Sequence, residues 1–360
     1  MKILIDIGHP AHVHLFKHFA HEMINKNHQV HFTFRGREFI NSLLITEGFS
    51  FTFLGKGYKS GAGKIWGLFK FTWLLLLESL IFKPDIFLSH GSMYAAFTAF
   101  LLHKRHIAFE DTFNFEQIRL YKPFTKHILT SDYKHPLASK KVIHYASYNE
   151  LAYLHPKRFT PDISVLNDLG VKKDEKFIIM RFVSWNASHD IGHSGLSIEN
   201  KIKAINSFKH FARVFISSES PLSDELEKYR INIAPSRIHD ALAYADLLFG
   251  ESSTMAEEAA LLGVPAIYIK DNNTIYTKHL EKDFGLMYNY SESLIEQLKA
   301  IEKGVEVLKN PSIKKDWESK RHDLLRKKID LSGFLVWFIE NYPGSVKTIK
   351  ENPEYQYNFM

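Results

Sequence analysis

Short apolar segments that alternate with helical ones are the feature of this sequence that most limits its fold. The first, residues 3–7, is almost wholly apolar and ends at Gly8 and Pro10. A run that is apolar on both faces and closed by glycine or proline is typical of a buried strand in a parallel sheet. Helices are predicted at residues 13–25 and 94–102. The other strands predicted in this half are residues 29–34, 51–54, 85–89, 106–109, 127–130 and 142–145.

The same alternation begins again after a polar stretch at residues 155–161, where Pro156 and Pro161 predict a linker. The predicted elements of the second half are strands 177–181, 214–217, 247–249 and 266–269, helices 197–210 and 255–262, and a largely helical region at 314–342. At roughly 100–200 residues per domain, 360 residues predict two domains. We place an N-terminal domain at residues 1–157 and a second domain at 158–330, with a C-terminal helix and tail, 331–360, that packs back on the first. Both domains are expected to be doubly wound α/β domains, with ligand sites at the carboxyl ends of the strands.

Composition removes several classes of chemistry. The chain has no cysteine, which excludes disulfides, thiolate zinc sites and a cysteine nucleophile. Its formal charge of +6 suits an anionic ligand, a membrane surface or nucleic acid. The basic residues are scattered and no nucleic-acid-binding module is recognisable, so we expect no nucleic-acid partner. The chain has 20 histidines, but the spacing of His9, His12 and His14 does not match a closed tetrahedral site, so no metal is expected.

The N-terminal apolar run is too short for a signal peptide, so a cytoplasmic protein is predicted. The one stretch of membrane length is residues 65–82, which Lys70 and Glu78 interrupt. Two interpretations stay open for it. Basic residues beside aromatic ones favour contact with anionic lipid at the cytoplasmic face of the inner membrane, whereas the plainer alternative is a buried helix of the N-terminal domain. The residues concerned are Lys56, Lys59, Lys64, Trp66, Phe69, Phe71 and Trp73.

The segment from Gly250 to Pro265 carries the strongest functional pattern. A strand is predicted to end at residue 249 and a helix to begin near Thr254. The first turn of a helix offers unpaired N–H groups and positive potential, and with the hydroxyls of Ser252, Ser253 and Thr254 this combination favours phosphate. Glu257 and Glu258 follow one turn later, where a carboxylate could hold ribose hydroxyls. The alternative is a capping box made by Thr254 and Glu257, which needs no ligand.

This segment resembles the nucleotide-binding stretch of GT-B fold proteins, namely the N-acetylglucosaminyltransferase of peptidoglycan synthesis and the non-hydrolysing UDP-N-acetylglucosamine 2-epimerases. The resemblance implies two Rossmann-like domains that face an interdomain cleft. It also implies that Ser252–Thr254 face a diphosphate and that Glu258, or else Glu257, holds the ribose. Ser253 and Thr254 stand where those proteins have glycine. Residues 235–246, which include His239, resemble the stretch whose loop lies beside the base. The whole chain looks most like a bacterial and archaeal glycosyltransferase-like family of the GT-B clan.

The loop after the first strand reads Gly-His-Pro-Ala-His-Val-His over residues 8–14. Its position at a strand's carboxyl end is where ligand-facing groups are expected, so Gly8, His9 and His14 are candidate substrate contacts. The resemblance aligns His12 with the candidate catalytic histidine of the transferase. A neutral imidazole can accept a proton from an attacking hydroxyl. The alternative is that His12 and His14 only begin an amphipathic helix.

Two further loops resemble those of the epimerases, whose chemistry needs an acidic group in each. In the first, Ser92 replaces the carboxylate; in the second, Glu110 is retained and Asp111 follows it. Because one of two acid/base groups is missing, epimerase is the second choice. Ser92 is a candidate substrate contact, and Glu110 and Asp111 become candidate acceptor-side groups, with Glu110 catalytic. The alternative for Glu110 and Asp111 is a structural role in their loop. Arg181, at the end of strand 177–181, suits a diphosphate leaving group, although an interdomain ion pair would also explain it. Ser184 is a weaker candidate for the same role.

We therefore expect a metal-independent, cofactor-free glycosyltransferase with His12 as general base. It would move a sugar from a nucleotide-diphosphate donor, expected to be a UDP-sugar, to a glycan or lipid-linked acceptor in cell-surface polysaccharide synthesis. The donor is expected on the C-terminal domain and the acceptor on the N-terminal domain. The alternatives are a UDP-N-acetylglucosamine 2-epimerase-like enzyme and a non-catalytic nucleotide-sugar-binding protein.

Overall fold

The structure is a computed structural model, and it describes the chain apart from residues 37, 59–60, 112–113, 134–136, 138, 184–194, 219–220 and 272–273. Ser184 is therefore outside the described residues. The chain divides into two compact units. Unit 1 comprises Met1–Arg158 together with Lys328–Met360, and unit 2 comprises Phe159–Lys327. Residues 328–330 thus belong with unit 1, whereas the sequence predicts that the second domain ends at residue 330.

Twelve strands are described, seven in unit 1 and five in unit 2. They are β1 (Lys2–Ile7), β2 (Gln29–Phe34), β3 (Phe51–Phe53), β4 (Ile86–His90), β5 (Arg105–Phe109), β6 (His127–Ser131), β7 (Val142–Tyr145), β8 (Phe177–Phe182), β9 (Arg213–Ser218), β10 (Leu247–Gly250), β11 (Ala266–Ile269) and β12 (Tyr288–Tyr290).

The described helices lie between these strands and after the last of them. They are α1 (Pro10–Asn25), α2 (Glu38–Thr46), α3 (Gly61–Phe82), α4 (Met93–Leu101), α5 (Phe115–Tyr121), α6 (Leu151–Leu154), α7 (Val165–Leu169), α8 (Ile198–Phe208), α9 (Asp224–Glu227), α10 (Ile238–Tyr244), α11 (Ser253–Leu262), α12 (Ile275–Phe284), α13 (Leu294–Lys309), α14 (Ile313–Leu325), α15 (Leu331–Glu340) and α16 (Gly344–Glu351). Short 3₁₀ turns lie at Pro235–Arg237 and Pro353–Phe359.

Unit 1 is built on a wholly parallel sheet of order β3-β2-β1-β4-β5-β6-β7. β1 lies inside the sheet, between β2 and β4, and Ile3, Leu4 and Ile5 are completely buried. Burial on both faces explains why this strand reads as an apolar run rather than as an alternation. The strand order reverses between β1 and β4, so their carboxyl ends flank the topological switch point, where doubly wound domains bind ligands.

The C-terminal segment of unit 1 completes its helical layer. α15 packs against α1 and α6, and α16 packs against α15 and β7. Asp330, just before α15, is held by Arg158, whose Nε lies 2.9 Å from both carboxylate oxygens. The region 314–342, predicted as largely helical, is two helices in different units, because residues 326–330 form the connection between them.

Unit 2 has a second parallel sheet, of order β12-β11-β10-β8-β9, whose switch point lies between β8 and β10. Gly250, at the end of β10, faces Arg181 of β8 so closely that a Cβ there would lie 2.1 Å from the Arg181 carbonyl oxygen. Only glycine allows this approach. Phe208 and Phe249 pack edge to face in the core on one side of the sheet.

The predicted α/β class, with two doubly wound halves, is confirmed. All eleven strands predicted from apolar runs end within one residue of the observed strand, and three of them, β2, β7 and β11, coincide with their predictions. The twelfth strand, β12, was not predicted. Several helices were not predicted, among them α2, α12 and α13. No long apolar run marks them in the sequence.

Candidate functional sites at the two switch points

The carboxyl end of β1 leads directly into α1. His9 caps this helix, since its Nδ1 accepts the Ala11 N–H at 3.2 Å, and Pro10 occupies the first helical position, where a missing N–H costs nothing. His12 follows in the first turn. The Gly8 N–H reaches toward His12 Nδ1 at 3.4 Å, a long contact. Gly8, His9 and His12 are therefore together at the switch point of unit 1.

His12 has a second histidine beside it. The ring of His90, the last residue of β4, stacks on the His12 ring with 4.5 Å between centroids. His90 Nε2 lies 2.8 Å from Asp111 Oδ1, beyond the end of β5. The other Asp111 oxygen accepts from the Asn149 side-chain amide at 2.5 Å. Four separate parts of unit 1, the start of α1, the end of β4, the segment after β5 and the segment before α6, thus contribute to one cluster, His12–His90–Asp111–Asn149.

The two stacked histidines differ in charge. Burial lowers the pKa of His12 well below its usual 6.5, and the positive charges of His90, His9 and Arg35 lower it further. Burial acts the same way on the pKa of His90, but the charge and hydrogen bond of Asp111, aided by Glu110 and Glu150, outweigh it and raise this pKa to about 9. The pKa of Asp111 is lowered, because His90 and Asn149 outweigh its desolvation. Near pH 7 a neutral imidazole therefore lies against an imidazolium–carboxylate pair.

Glu110 is buried next to this cluster. The Tyr121 hydroxyl donates to its Oε2 at 2.5 Å. Gly91, which follows β4, has a φ of +60°, and a Cβ there would lie 3.4 Å from Tyr121 and 3.6 Å from Glu110. The Gln117 side chain donates to the Gly91 carbonyl at 2.7 Å. The two Cβ distances are ordinary contact distances, so glycine is favoured at this position by the positive φ and not by lack of space.

Ser92 and His14 have other contacts. Ser92 caps α4, accepting the Ala95 N–H at 3.2 Å, and its hydroxyl donates to Asp6, a buried carboxylate of β1. Asp6 also accepts from Arg35 at 2.7 Å. Ser92 thus has a carboxylate beside it, which is Asp6 of β1. His14 packs on Tyr153 of α6 with 5.3 Å between ring centroids.

In unit 2, α11 begins at the carboxyl end of β10. Its N-cap is Ser252, whose hydroxyl accepts the Met255 N–H at 3.3 Å. The capping box considered for Thr254 and Glu257 is therefore wrong, because Thr254 is already inside the helix. The Tyr276 hydroxyl donates to Ser253 Oγ at 3.0 Å. Ser252, Ser253 and Thr254 lie together at the helix start, as the phosphate hypothesis requires.

Glu257 and Glu258 are both buried on α11. His239, on the neighbouring helix α10, is buried too, and its Nε2 lies 3.0 Å from Glu258 Oε1. Residues 235–246 and the α11 segment are separate candidates in the sequence, and the His239–Glu258 contact joins them. A buried carboxylate needs hydrogen-bond partners, and His239 supplies one.

Arg181 lies within β8, beside Gly250 of β10, and its guanidinium donates to Ser217 Oγ of β9 at 2.9 Å. Glu251, which follows Gly250, is buried. Its carboxylate accepts the Val183 N–H at 3.0 Å and the Leu196 N–H at 2.7 Å. Its two hydrogen bonds therefore hold the residue after β8 and a residue just before α8 next to the start of α11.

No group of three or more histidine, aspartate or glutamate side chains in the described parts of the chain is arranged to hold a metal ion. The residues that the sequence analysis missed are His90, Asp6, Arg35, Asn149 and Glu251. His90, Asp6 and Glu251 lie in or directly after strands that border a switch point, and Arg35 directly follows β2, the neighbour of β1. Polar residues at the ends of predicted strands could have indicated them. Which of these residues meet depends on the order of the strands in the sheet, which cannot be read from local sequence patterns.

Two doubly wound, parallel α/β units in one chain, each with polar groups at its switch point, define the class of GT-B fold proteins. Within that class the chain belongs to the protein family of unknown function DUF354, whose sequence model matches residues 1–316. No curated protein matches the sequence.

Solved structures show the same fold at low sequence identity. MnaA from S. aureus, solved with UDP, aligns with a TM-score of 0.71 and 14% identity over 96% of this chain and 97% of its own. UDP-GlcNAc 2-epimerase from Neisseria meningitidis, bound to UDP-GlcNAc, aligns with a TM-score of 0.69 and 15% identity over 95% of this chain and 100% of its own. The glycosyltransferase SsfS6 from Streptomyces sp. SF2575 aligns with a TM-score of 0.60 and 10% identity over 94% of this chain and 99% of its own.

Proposed function

We propose that the protein is a glycosyltransferase that takes a sugar from a nucleotide-diphosphate donor, a UDP-sugar, and passes it to a glycan or lipid-linked acceptor of cell-surface polysaccharide. The observation that carries the proposal is the start of α11. There a helix N-terminus with three hydroxyl residues is followed, one turn on, by the buried pair Glu258–His239. Anion-binding groups and a fixed carboxylate at this spacing suit a diphosphate joined to a ribose.

The donor is assigned to unit 2. First-turn N–H groups have no partner within their own helix, and Ser252–Thr254 add hydroxyl donors for phosphate oxygens. A carboxylate can accept several hydrogen bonds at once, so a ribose hydroxyl can join His239 on Glu258. Arg181, at the neighbouring strand end, would stabilise charge on the leaving diphosphate. Two proteins of the same fold were solved with UDP and UDP-GlcNAc, which supports a nucleotide-sugar donor.

The acceptor is assigned to unit 1, with His12 as general base. Its lowered pKa keeps the imidazole neutral near pH 7. In the tautomer that accepts from Gly8, Nε2 carries the ring hydrogen, so a base acting through Nε2 must give up that 3.4 Å contact. The His90–Asp111 pair then places a positive charge beside His12, and Glu110 lies close by as the second catalytic group.

The reaction we propose uses no metal and no cofactor. The groups that replace a metal are the N-terminus of α11 and Arg181, which supply fixed positive potential for the diphosphate. The protein is proposed to work in the cytoplasm, where nucleotide sugars are its donors.

The ribose assignment can be tested with Glu258→Gln, which keeps an oxygen acceptor for His239 and removes the charge. By calorimetry, wild type should bind UDP about tenfold or more tightly than 2′,3′-dideoxy-UDP, because a hydrogen bond to a charged group contributes about 1.5–3 kcal/mol. Glu258→Gln should lose most of this discrimination. Glu306→Gln, which changes an exposed carboxylate on α13, is the matched control. Equal binding of both nucleotides by wild type would show that the ribose is held elsewhere.

Transfer and epimerisation are separated by proton NMR of UDP-N-acetylglucosamine in deuterated buffer. A transferase should release UDP only when an acceptor is present and should leave the sugar C2 proton in place. Deuterium at C2 without acceptor would instead establish the epimerase alternative. His12→Ala should abolish transfer while UDP affinity stays unchanged, and a binding protein would show affinity with neither reaction.

A further inference from the structure

Helix α3 exposes an apolar face. Trp66, Phe69 and Ile81 are 61%, 66% and 77% exposed, and the other exposed apolar residues of this face are Ile65, Trp73, Leu77 and Leu80. Most are spaced three or four residues apart, so they form one continuous face of the helix. Single exposed apolar residues are ordinary, but a contiguous patch of this kind marks an interaction surface.

The opposite face of α3 is anchored in unit 1. Phe71, Leu75 and Ser79 are buried, and Phe71 and Leu75 pack in a core cluster with Leu4 of β1. By length and composition, residues Ile65–Phe82 could cross a membrane, and only 22% of that stretch is buried. Because its other face is occupied by the core of unit 1, the helix can lie on a membrane but cannot span one while the unit is folded. The interpretation as a buried helix of the N-terminal domain therefore describes one face of α3, and the lipid-contact interpretation stays a hypothesis for the exposed face.

The charges along α3 have one sign on the exposed side. Lys70 is the one charged residue on that arc, while Glu78 lies on the other arc, 3.3 Å from His31. Lys83 follows the helix directly and is exposed, as is Lys56 before it. Over residues 56–83 the sequence has lysine at 56, 59, 64, 70 and 83 and glutamate only at 78.

We propose that this face, named here the α3 face and made of the seven apolar residues with Lys70, docks on an anionic phospholipid bilayer. Tryptophan prefers the boundary between acyl chains and headgroups, and lysines beside it bind lipid phosphates. A second copy of the chain is a poorer occupant, because a symmetric contact would bring the same lysines together. The proposal is independent of nucleotide-sugar binding, and it places unit 1 at the surface that a lipid-linked acceptor would occupy.

The test is vesicle flotation of the full chain. Wild type should float with phosphatidylcholine vesicles containing phosphatidylglycerol, less with phosphatidylcholine alone, and less again as salt is raised. The triple variant Trp66→Gln, Phe69→Gln, Trp73→Gln should bind about tenfold or more weakly, because three aromatic side chains no longer insert. Lys56→Gln with Lys83→Gln should reduce the preference for phosphatidylglycerol vesicles.

The matched control is Leu294→Gln with Ile295→Gln, which removes two apolar side chains of similar exposure from α13 in unit 2 and should leave flotation unchanged. The substituted residues are exposed, so circular dichroism should show wild-type folding in every variant. Wild type that stays unbound, or a triple variant that floats like wild type, would overturn the proposal. A concentration-dependent dimer in light scattering that only the triple variant abolishes, without flotation of wild type, would assign the face to a second copy instead.

Discussion

One carboxylate, Asp111, determines the charge of the histidine pair in unit 1. Without it, burial would leave His90 neutral, as it leaves His12. The pair would then be two neutral rings, and His12 would lose the neighbouring positive charge. Asp111 is therefore a positioning residue for charge, and its effect is measurable without any substrate.

Asp111→Asn should lower the pKa of His90 from about 9 to below its ordinary 6.5, because burial then acts without the opposing carboxylate. A folded-state pKa above the unfolded value stabilises the fold fully below about pH 6.5, and this contribution is lost as pH rises through about 9. It amounts to about 3 kcal/mol at most, from about 1.4 kcal/mol per unit of pKa. The variant should lose this dependence.

The measurement is an NMR titration of the His90 ring, with urea unfolding at the two ends of that pH range. Asp283→Asn is the control, because it breaks an exposed pair with His279, 3.6 Å apart, and should leave the His90 titration unchanged. A His90 pKa that stays raised in Asp111→Asn would mean that Glu110 and Glu150 suffice to hold the charge.

The sequence predicts the site only where its parts are local. Ser252, Ser253 and Thr254 are adjacent in the chain, and so are Gly8, His9 and His12, so a motif reveals them. His90, Asp111 and Asn149 lie far apart in sequence, at the end of β4, after β5 and after β7. His90 and Asp111 meet because β4 and β5 are neighbours in the sheet, and Asn149 reaches Asp111 from the segment after β7. Such pairs follow from strand order, which local patterns leave open.

At the scale of the elements, the junction of β8 and β10 determines where α11 begins. Gly250 permits the two strands to lie close together, and Glu251 accepts a hydrogen bond from the Val183 N–H just after β8. Ser252 then caps α11. Strand ends of this kind were predictable, because buried parallel strands are apolar runs closed by polar or small residues. The break between α14 and α15 was not, because residues 326–330 include no proline or glycine that marks the end of a helix.

Gly250→Ala should destabilise unit 2 by about 3 kcal/mol, since the new methyl group would meet the Arg181 backbone and force β8 and β10 apart. Gly344→Ala, whose Cβ would meet nothing within 4 Å, should change stability little and serves as the control. Urea unfolding of both variants measures the difference. UDP affinity should fall in Gly250→Ala alone, and a stable Gly250→Ala protein would contradict the close approach of the strands.

At the scale of the molecule, unit 1 is discontinuous in sequence. Its first 158 residues are completed by Lys328–Met360, through the packing of α15 on α1 and the pair Arg158–Asp330. Gln356 adds a hydrogen bond to the Ala146 N–H at 2.6 Å. The folded state of unit 1 therefore depends on a segment that follows the whole of unit 2 in the chain.

Asp330→Asn should lower the unfolding free energy of unit 1 by about 2 kcal/mol, because it removes the charge of one of the two carboxylates, Asp330 and Glu22, that hold the largely buried Arg158. Glu340→Gln breaks the more exposed link between α15 and Lys26 of α1 and should cost less than about 1 kcal/mol. Hydrogen exchange resolved by segment can compare them, with the strands of unit 2 as the internal reference. Equal effects of the two substitutions would mean that burial of the Arg158 pair does not matter.

The same discontinuity affects synthesis on the ribosome. Phe159–Lys327 emerge before Lys328–Met360, so unit 2 has all its residues while unit 1 still lacks α15 and α16. During that interval the surface of α1 that α15 later covers is open to solvent and to chaperones. The newly made chain therefore acquires the unit proposed to hold the donor before it can complete the unit that carries His12.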